Sequence, residues 1–193
     1  MRITGGDLKG RIIPTHFANH VRPSTDRVRE SLFNSLEHQK GIGQSRILDL
    51  FSGSGIIALE FLSRRAEAVY SIDLDKKNIA HQKGIAKDWQ LQNWHIAAGN
   101  ALTPEATIIK NRLHGDASGQ IQPFDIVFAD PPYGMPNIQG LPKLLLPLIA
   151  EDGWIIIEHK PQLVFAEQEL LKKEYPNSLH NLNVINKECH EKL

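Results

Sequence analysis

Apolar positions change their rhythm along the chain. From residue 46 onward, short apolar runs at residues 47–51, 68–72, 94–98, 124–129 and 154–158 predict five strands. Between them, apolar positions recurring every three or four residues predict helices near 54–64, 76–91, 103–112 and 137–150, with a last helix near 162–172. Strands alternating with helices imply a mostly parallel sheet with right-handed crossovers, so the expected class is doubly wound α/β with helices on both faces.

Before residue 46 the pattern differs. Short extended segments at residues 2–4 and 11–15, joined through Gly5, Gly6 and Gly10 and closed by Pro14, predict a small hairpin. Ser24 or Thr25 can then cap a helix carrying Val28, Leu32, Phe33 and Leu36 and ending near Gly41 and Gly43. The expected organisation is a hairpin-and-helix extension over 1–45 followed by the main domain over 46–193. A loop is expected around residues 115–119. The polar segment after 177 holds only a weak strand candidate at 182–185.

At 193 residues and 41% hydrophobic content the chain can bury a core without staples. Cys189 is alone and cannot form an internal disulfide, which fits a reducing, cytoplasmic setting. No apolar run approaches the roughly 20 residues that span a bilayer, and the N-terminus lacks the apolar core of a signal peptide. A soluble monomer without membrane contact is therefore expected; the nine histidines and Cys189 show no metal-ligand spacing.

Twenty-two basic residues balance twenty-two acidic ones, but unevenly. Residues 1–29 hold Arg2, Lys9, Arg11, Arg22, Arg27 and Arg29 against Asp7 and Asp26, leaving the rest net negative by four. A solvated face would look the same, but a basic block on a hairpin is a candidate RNA-binding surface, each neutralised phosphate steepening the salt dependence by about 0.7–0.9.

The first strand runs into Asp49-Leu50-Phe51-Ser52-Gly53-Ser54-Gly55 and then directly into a helix, so the backbone there can approach a ligand closely. Eighteen residues after Gly55, Asp73 ends the second strand, where a carboxylate can accept from both hydroxyls of a ribose. Gly53 and Gly55 also satisfy the spacing of a dinucleotide loop, which keeps a nicotinamide oxidoreductase open. Asp49 favours S-adenosylmethionine: a carboxylate beside the loop suits a cationic ligand and is badly placed beside a pyrophosphate. Asp49, Phe51, Gly53, Gly55 and Asp73 are the candidate cofactor residues.

The fourth strand leads into Asp130-Pro131-Pro132-Tyr133 at the sheet edge where α/β proteins place ligands. The exocyclic amine of a purine has its lone pair delocalised into the ring and is a poor nucleophile until acceptors draw its hydrogens toward tetrahedral geometry. Asp130 and the Pro131 carbonyl can be those acceptors, Pro131 and Pro132 stiffen the turn, and Tyr133 can stack on a base taken out of its helix. Glu158-His159 ends the fifth strand at the same edge, placing His159 either against the target nucleotide or in a structural role. Trp89, Trp94 and Trp154 read as core.

These residues together resemble the RsmD family of bacterial small-subunit ribosomal RNA guanine-N2 methyltransferases. The resemblance is carried by Arg2-Ile3-Thr4-Gly5-Gly6, Lys9-Gly10-Arg11, the run from Arg22-Pro23-Ser24 to Leu32-Phe33-Asn34, and then Asp49–Gly55, Asp130–Tyr133 and Glu158-His159. It implies a Rossmann-like class I methyltransferase fold, an N-terminal hairpin that contacts RNA, and methylation of a guanine in 16S rRNA within assembling small subunits. It also adds Asn100 to the cofactor residues, where the family usually has an aspartate that meets the adenine amino group; the Asn carbonyl can accept there too. The family ends in a strand pair whose Tyr-Gly turn is missing after Tyr175-Pro176. Alternatives are a DNA adenine-N6 methyltransferase, since the same turn serves either purine amine, and a non-catalytic RNA- or ribosome-binding protein.

Overall fold

The computed structural model describes residues 1–14, 26–111, 121–132, 134–159, 171–175 and 181–186. In chain order its elements are α1 (Asp26–Gln39), β1 (Arg46–Leu50), α2 (Ile56–Ser63), β2 (Ala68–Asp73), α3 (Lys76–Asp88), β3 (Trp94–Ala98), α4 (Pro104–Asn111), β4 (Phe124–Ala129), α5 (Leu141–Leu145), β5 (Ile149–His159), β6 (Leu171–Tyr175) and β7 (Asn181–Asn186). The five expected strands are all present. They lie side by side and parallel, as β3-β2-β1-β4-β5, and the sheet is completed by β7 and β6 in antiparallel pairing.

Chain order reverses between β1 and β4. From β1 the chain winds outward through β2 and β3, then returns to build β4 and β5 on the other side, so a crevice opens beyond the carboxyl ends of β1 and β4. Residues 51–55 and 130–132 follow those two ends.

Both faces of the sheet are covered, which explains why its central strands read as nearly continuous apolar runs. One face carries Ile47, Ile126, Phe128 and Ile156 against α1, α2 and α3; the other carries Leu48, Val127, Ile155 and Ile157 against α4 and α5. Helix α1 buries Leu32, Phe33 and Leu36, an apolar stripe at helical spacing worth roughly 1.5–3 kcal/mol per side chain. Phe33 meets Phe61 edge-on at 4.8 Å.

The N-terminal residues are built into this same core rather than standing apart. Ile3 and Ile13 are buried in the cluster that contains Phe33, Phe61 and Phe128. The expected hairpin is reduced to one antiparallel bridge, Arg2 to Ile12, supported by hydrogen bonds from Ile3 N–H to the Arg11 carbonyl (3.0 Å) and from Ile13 N–H to the Met1 carbonyl (3.0 Å). Beneath it lies a buried ionic cluster. Glu60 of α2 accepts from the Thr4 N–H (2.9 Å), the Thr4 hydroxyl (3.0 Å), Arg29 Nε (2.8 Å) and Arg64 Nη1. Arg29 also donates to the Arg2 carbonyl (2.5 Å) and to Asp26 (2.8 Å).

Three expectations are corrected. The helix expected over 137–150 is one short helix, α5, between 3-10 turns at Ile138–Gly140 and Leu146–Leu148, and the chain is already in β5 by Ile149. Pro142 starts α5, and Pro147 sits in the second of these turns, where it has no N–H to continue an α-helical ladder. The helix expected to reach residue 172 cannot do so, because Leu171–Tyr175 is strand; its remaining positions, like the loop at 115–119, Ser24, Thr25 and Cys189, lie outside the described residues. The terminal strand pair, not found in the sequence, exists as β6 and β7, the weak candidate at 182–185 falling inside β7.

Candidate active site

The turn after β1 is shaped by positive backbone angles: Phe51 has φ 58°, Gly53 φ 49° and Gly55 φ 78°. A non-glycine residue with positive φ is strained and concentrates at ligand sites. Gly55 has a second constraint, because a Cβ there would come within 2.7 Å of the Trp94 ring, so no side chain fits. One residue of this loop's support was missed in the sequence. Gln82, fully buried on α3, donates to the Ser52 hydroxyl (2.9 Å) and the Gly53 carbonyl (2.8 Å). Nothing in a helix already rich in Lys, Asn and Gln marks it out.

Asp73 is fixed by two backbone donors, Gly53 N–H on one oxygen and Asp75 N–H on the other, both at 2.7 Å. The acid at the end of β2 is thereby tied to the glycine loop at the end of β1. Asp49 lies beneath the loop at 1% exposure. Trp94 Nε1 donates to the Ser71 hydroxyl (2.9 Å), which donates to Asp49 at 3.4 Å. Burial holds the Asp49 pKa well above the ordinary carboxylate range, and the negative charge of Asp73 adds to the effect.

Asp130 follows β4 directly, and its N–H extends the ladder to the Leu50 carbonyl (3.4 Å). The Met135 N–H closes the turn onto the Pro132 carbonyl (3.1 Å). Pro131 is buried and Pro132 exposed; Tyr133 lies outside the described residues. The Asp130 carboxylate reaches solvent at the mouth of the crevice, yet the protein around it displaces enough water to raise its pKa to about 6. Burial, reinforced by the charge of Asp130, raises Glu158 to about 8.

Strand register puts these acids on one face. Asp49 pairs with Ser71 and with Phe128, and Phe128 pairs with Ile156. Side chains alternate along a strand, so Asp73, Asp49, Asp130 and Glu158, on β2, β1, and just after β4 and at the end of β5, project from the same face at the same edge. Four carboxylates, three of them with raised pKa, suit a cationic ligand and repel a pyrophosphate. His159, one residue on, belongs to the opposite face and is 3% exposed. That placement favours its structural role.

Asn100 stands at the same edge beyond β3, exposed, with its carbonyl oxygen accepting from Leu102 N–H (2.9 Å). That bond holds the turn into α4 and uses part of the acceptor capacity expected to face a ligand. Of the basic residues, Arg2, Lys9, Arg11 and Arg27 are exposed, and the Arg11 guanidinium lies 5.0 Å above the half-buried Trp89 ring. Arg22 lies outside the described residues. Arg29 is corrected: its side chain has 0% exposure and is held by Glu60, so it cannot meet a phosphate. Trp94 and Trp154 are core, at 5% and 4% exposure.

A family model described as conserved hypothetical protein 95 matches residues 1–184. The protein named ribosomal RNA small subunit methyltransferase D from Escherichia coli K12 is 33% identical over 170 residues, covering 88% of this chain and 75% of that one. The chain belongs to this family, the RsmD family. Its namesake in Buchnera aphidicola is 35% identical over 167 residues, 86% of this chain and 77% of the other. Among solved structures, yhhF of Escherichia coli superposes with TM-score 0.78 at 28% identity, over 97% of this chain and 98% of that one. The chain SMU.776, solved in complex with SAH, reaches TM-score 0.60 at 17% identity, over 83% of this chain and 48% of its own. The fold is the Rossmann-like class I methyltransferase fold.

Proposed function

We propose that the protein transfers the methyl group of S-adenosylmethionine to the exocyclic N2 of a guanine in 16S rRNA, in the cytoplasm and as a monomer. The methyltransferase names of its relatives and the SAH complex of a structural neighbour support the activity and the donor. The observation that carries the reading is the position of Asp130 at the switch point: it leaves β4 beside the glycine loop of β1, on the same face as Asp49 and Asp73.

The donor supplies an electrophilic methyl on a sulfonium, and the anionic edge matches its charge. Asp49, Phe51, Gly53, Gly55, Asp73 and Asn100 are the residues that would hold it. Asp130 accepts an N–H of the target amine and draws the nitrogen lone pair out of conjugation, with the Pro131 carbonyl as second acceptor and Tyr133 stacking on the base. Holding the amine in line is the main work, since orientation can lower a barrier by roughly 7–11 kcal/mol. Residues 1–45 form the RNA-directed extension, with Arg2, Lys9, Arg11, Arg22 and Arg27 directed at phosphates; Ile3 and Ile13 join its described part to the main core. Among the described residues no helix is long and apolar enough to cross a membrane.

The test is transfer of labelled methyl to unmethylated small subunits, naked 16S rRNA and duplex DNA, followed by nucleoside analysis. Label in N2-methylguanosine is expected. Label in N6-methyladenosine of DNA, or none with the donor bound, would overturn the reading in favour of the adenine enzyme or a non-catalytic RNA-binding protein.

A further inference from the structure

Glu158 is a half-buried acid whose side chain makes no hydrogen bond or ion pair with any described residue. Its neighbours along the edge do. Asp73 is held by two backbone amides and Asp49 by Ser71. A carboxyl withdrawn from water, with no partner among the described residues, gains when a ligand supplies the donor.

Position says what that donor is. The acids run along the edge in the order Asp73, Asp49, Asp130, Glu158, so the glycine-loop half of the crevice is on one side of Asp130 and Glu158 is on the other. Glu158 therefore stands beside the group that receives the target amine and away from the groups that would hold the donor. Adjacent strands are about 4.8 Å apart, and the pair Ala129–Ile157 places Asp130 and Glu158 at the next step of the register on one face. Two acceptors at that spacing can converge on two neighbouring N–H groups of one base edge. Guanine presents such a pair, N2–H and N1–H. A base with an amine but an unprotonated N1 turns a lone pair toward Glu158 instead.

We propose that Glu158 is the specificity residue of this site, accepting the N1–H of the target guanine while Asp130 accepts the N2 amine. This rests on the guanine-N2 reading above. It assigns base selection to β5. The raised pKa of Glu158 agrees, because a charge disfavoured by burial and by Asp130 is stabilised when an N–H donor arrives.

The experiment uses small subunits reconstituted with 16S rRNA carrying either guanine or 2-aminopurine at the methylated position. 2-Aminopurine keeps the N2 amine and lacks the N1–H. Assayed at pH 9, above its raised pKa, where Glu158 is ionised and can only accept, wild-type protein should prefer guanine by about 10²-fold in kcat/KM, the discrimination expected of one well-placed base contact. Glu158→Gln should lose about tenfold on guanine and show the preference collapse to within a few-fold, because its amide can donate to an unprotonated N1. Glu158→Ala should lose about 10²-fold on guanine, with the affinity for S-adenosylmethionine unchanged in both variants. A Glu158→Gln protein that discriminates like wild type, or a donor affinity weakened tenfold in either variant, would overturn the assignment. Wild-type label on any atom other than guanine N2 would instead bring down the reading beneath it.

Discussion

Glu60 and Glu158 are two acids withdrawn from water, and the protein treats them in opposite ways. Glu60 has four donors around it, from Thr4, Arg29 and Arg64, and sits under the N-terminal residues. Glu158, with Asp130 beside it, has no such partners among the described residues and stands at the open edge of the sheet. The first arrangement joins one part of the chain to another. The second places acceptors where a ligand can reach them. Basic residues divide the same way: Arg29 is consumed by Glu60, while Arg2, Lys9, Arg11 and Arg27 stay on the surface.

The sharpest way to break the contrast is to remove the saturated acid. Glu60→Ala leaves Arg29 and Arg64 without their buried counter-charge and should cost about 3–5 kcal/mol, a fall in Tm of roughly 10 °C in a thermal melt, with activity of the folded fraction little changed. An unchanged Tm would mean that the cluster does not anchor the N-terminus.

The open edge should instead reveal itself in pH dependence. Asp130 must be ionised to accept the amine, and its pKa is raised to about 6. The kcat/KM of the free enzyme should therefore climb about tenfold per pH unit below 6, and more gently from there toward 8 as Glu158 ionises to accept the N1–H. A flat profile from pH 5 to 7 would remove this role.

Stability should respond at Glu158 with a definite sign. Its pKa is raised from 4.5 to about 8 in the folded state, so the folded protein binds the proton more tightly than the unfolded chain. The resulting penalty is absent below about pH 4.5 and grows as pH rises toward 8. Glu158→Gln should raise Tm by about 2–4 °C at pH 8.5 and leave it unchanged at pH 4.5. Equal shifts at both pH values would contradict a raised pKa at Glu158.

The smallest effect belongs to the surface. Replacing Lys9 and Arg11 by Ala should reduce the salt slope of RNA binding by about 0.7–0.9 for each lost contact, read from affinities across a salt series. An unchanged slope would put the RNA elsewhere.

Much of this was legible in residues 46–159, and the reasons are physical. A strand buried on both faces has to be an apolar run, so residues 47–51 and 124–129 announce themselves. The Gly53 and Gly55 turn and the Asp130-Pro131-Pro132 turn declare backbone requirements that few other sequences meet. The last two strands lack that signal. Leu171-Lys172-Lys173-Glu174-Tyr175 is largely polar and Asn181–Asn186 half so, and pairing, of β7 with β5 and of β6 with β7, rather than local pattern makes them strands. Arg29 was misjudged for a related reason, since a sequence displays a charge without its partner, here Glu60 thirty-one positions away. Glu158 appeared in a recognisable motif, but only the register beside Asp130 shows what it faces.

The most direct test of the account is Asp130→Ala, measured for turnover, donor affinity and Tm in one preparation. If the open edge serves chemistry, methyl transfer falls by about 10³-fold or more while S-adenosylmethionine binding and Tm hold. Retained turnover, or a Tm collapse like that expected for Glu60→Ala, would show that Asp130 belongs to the framework and that the contrast between the two regions is false.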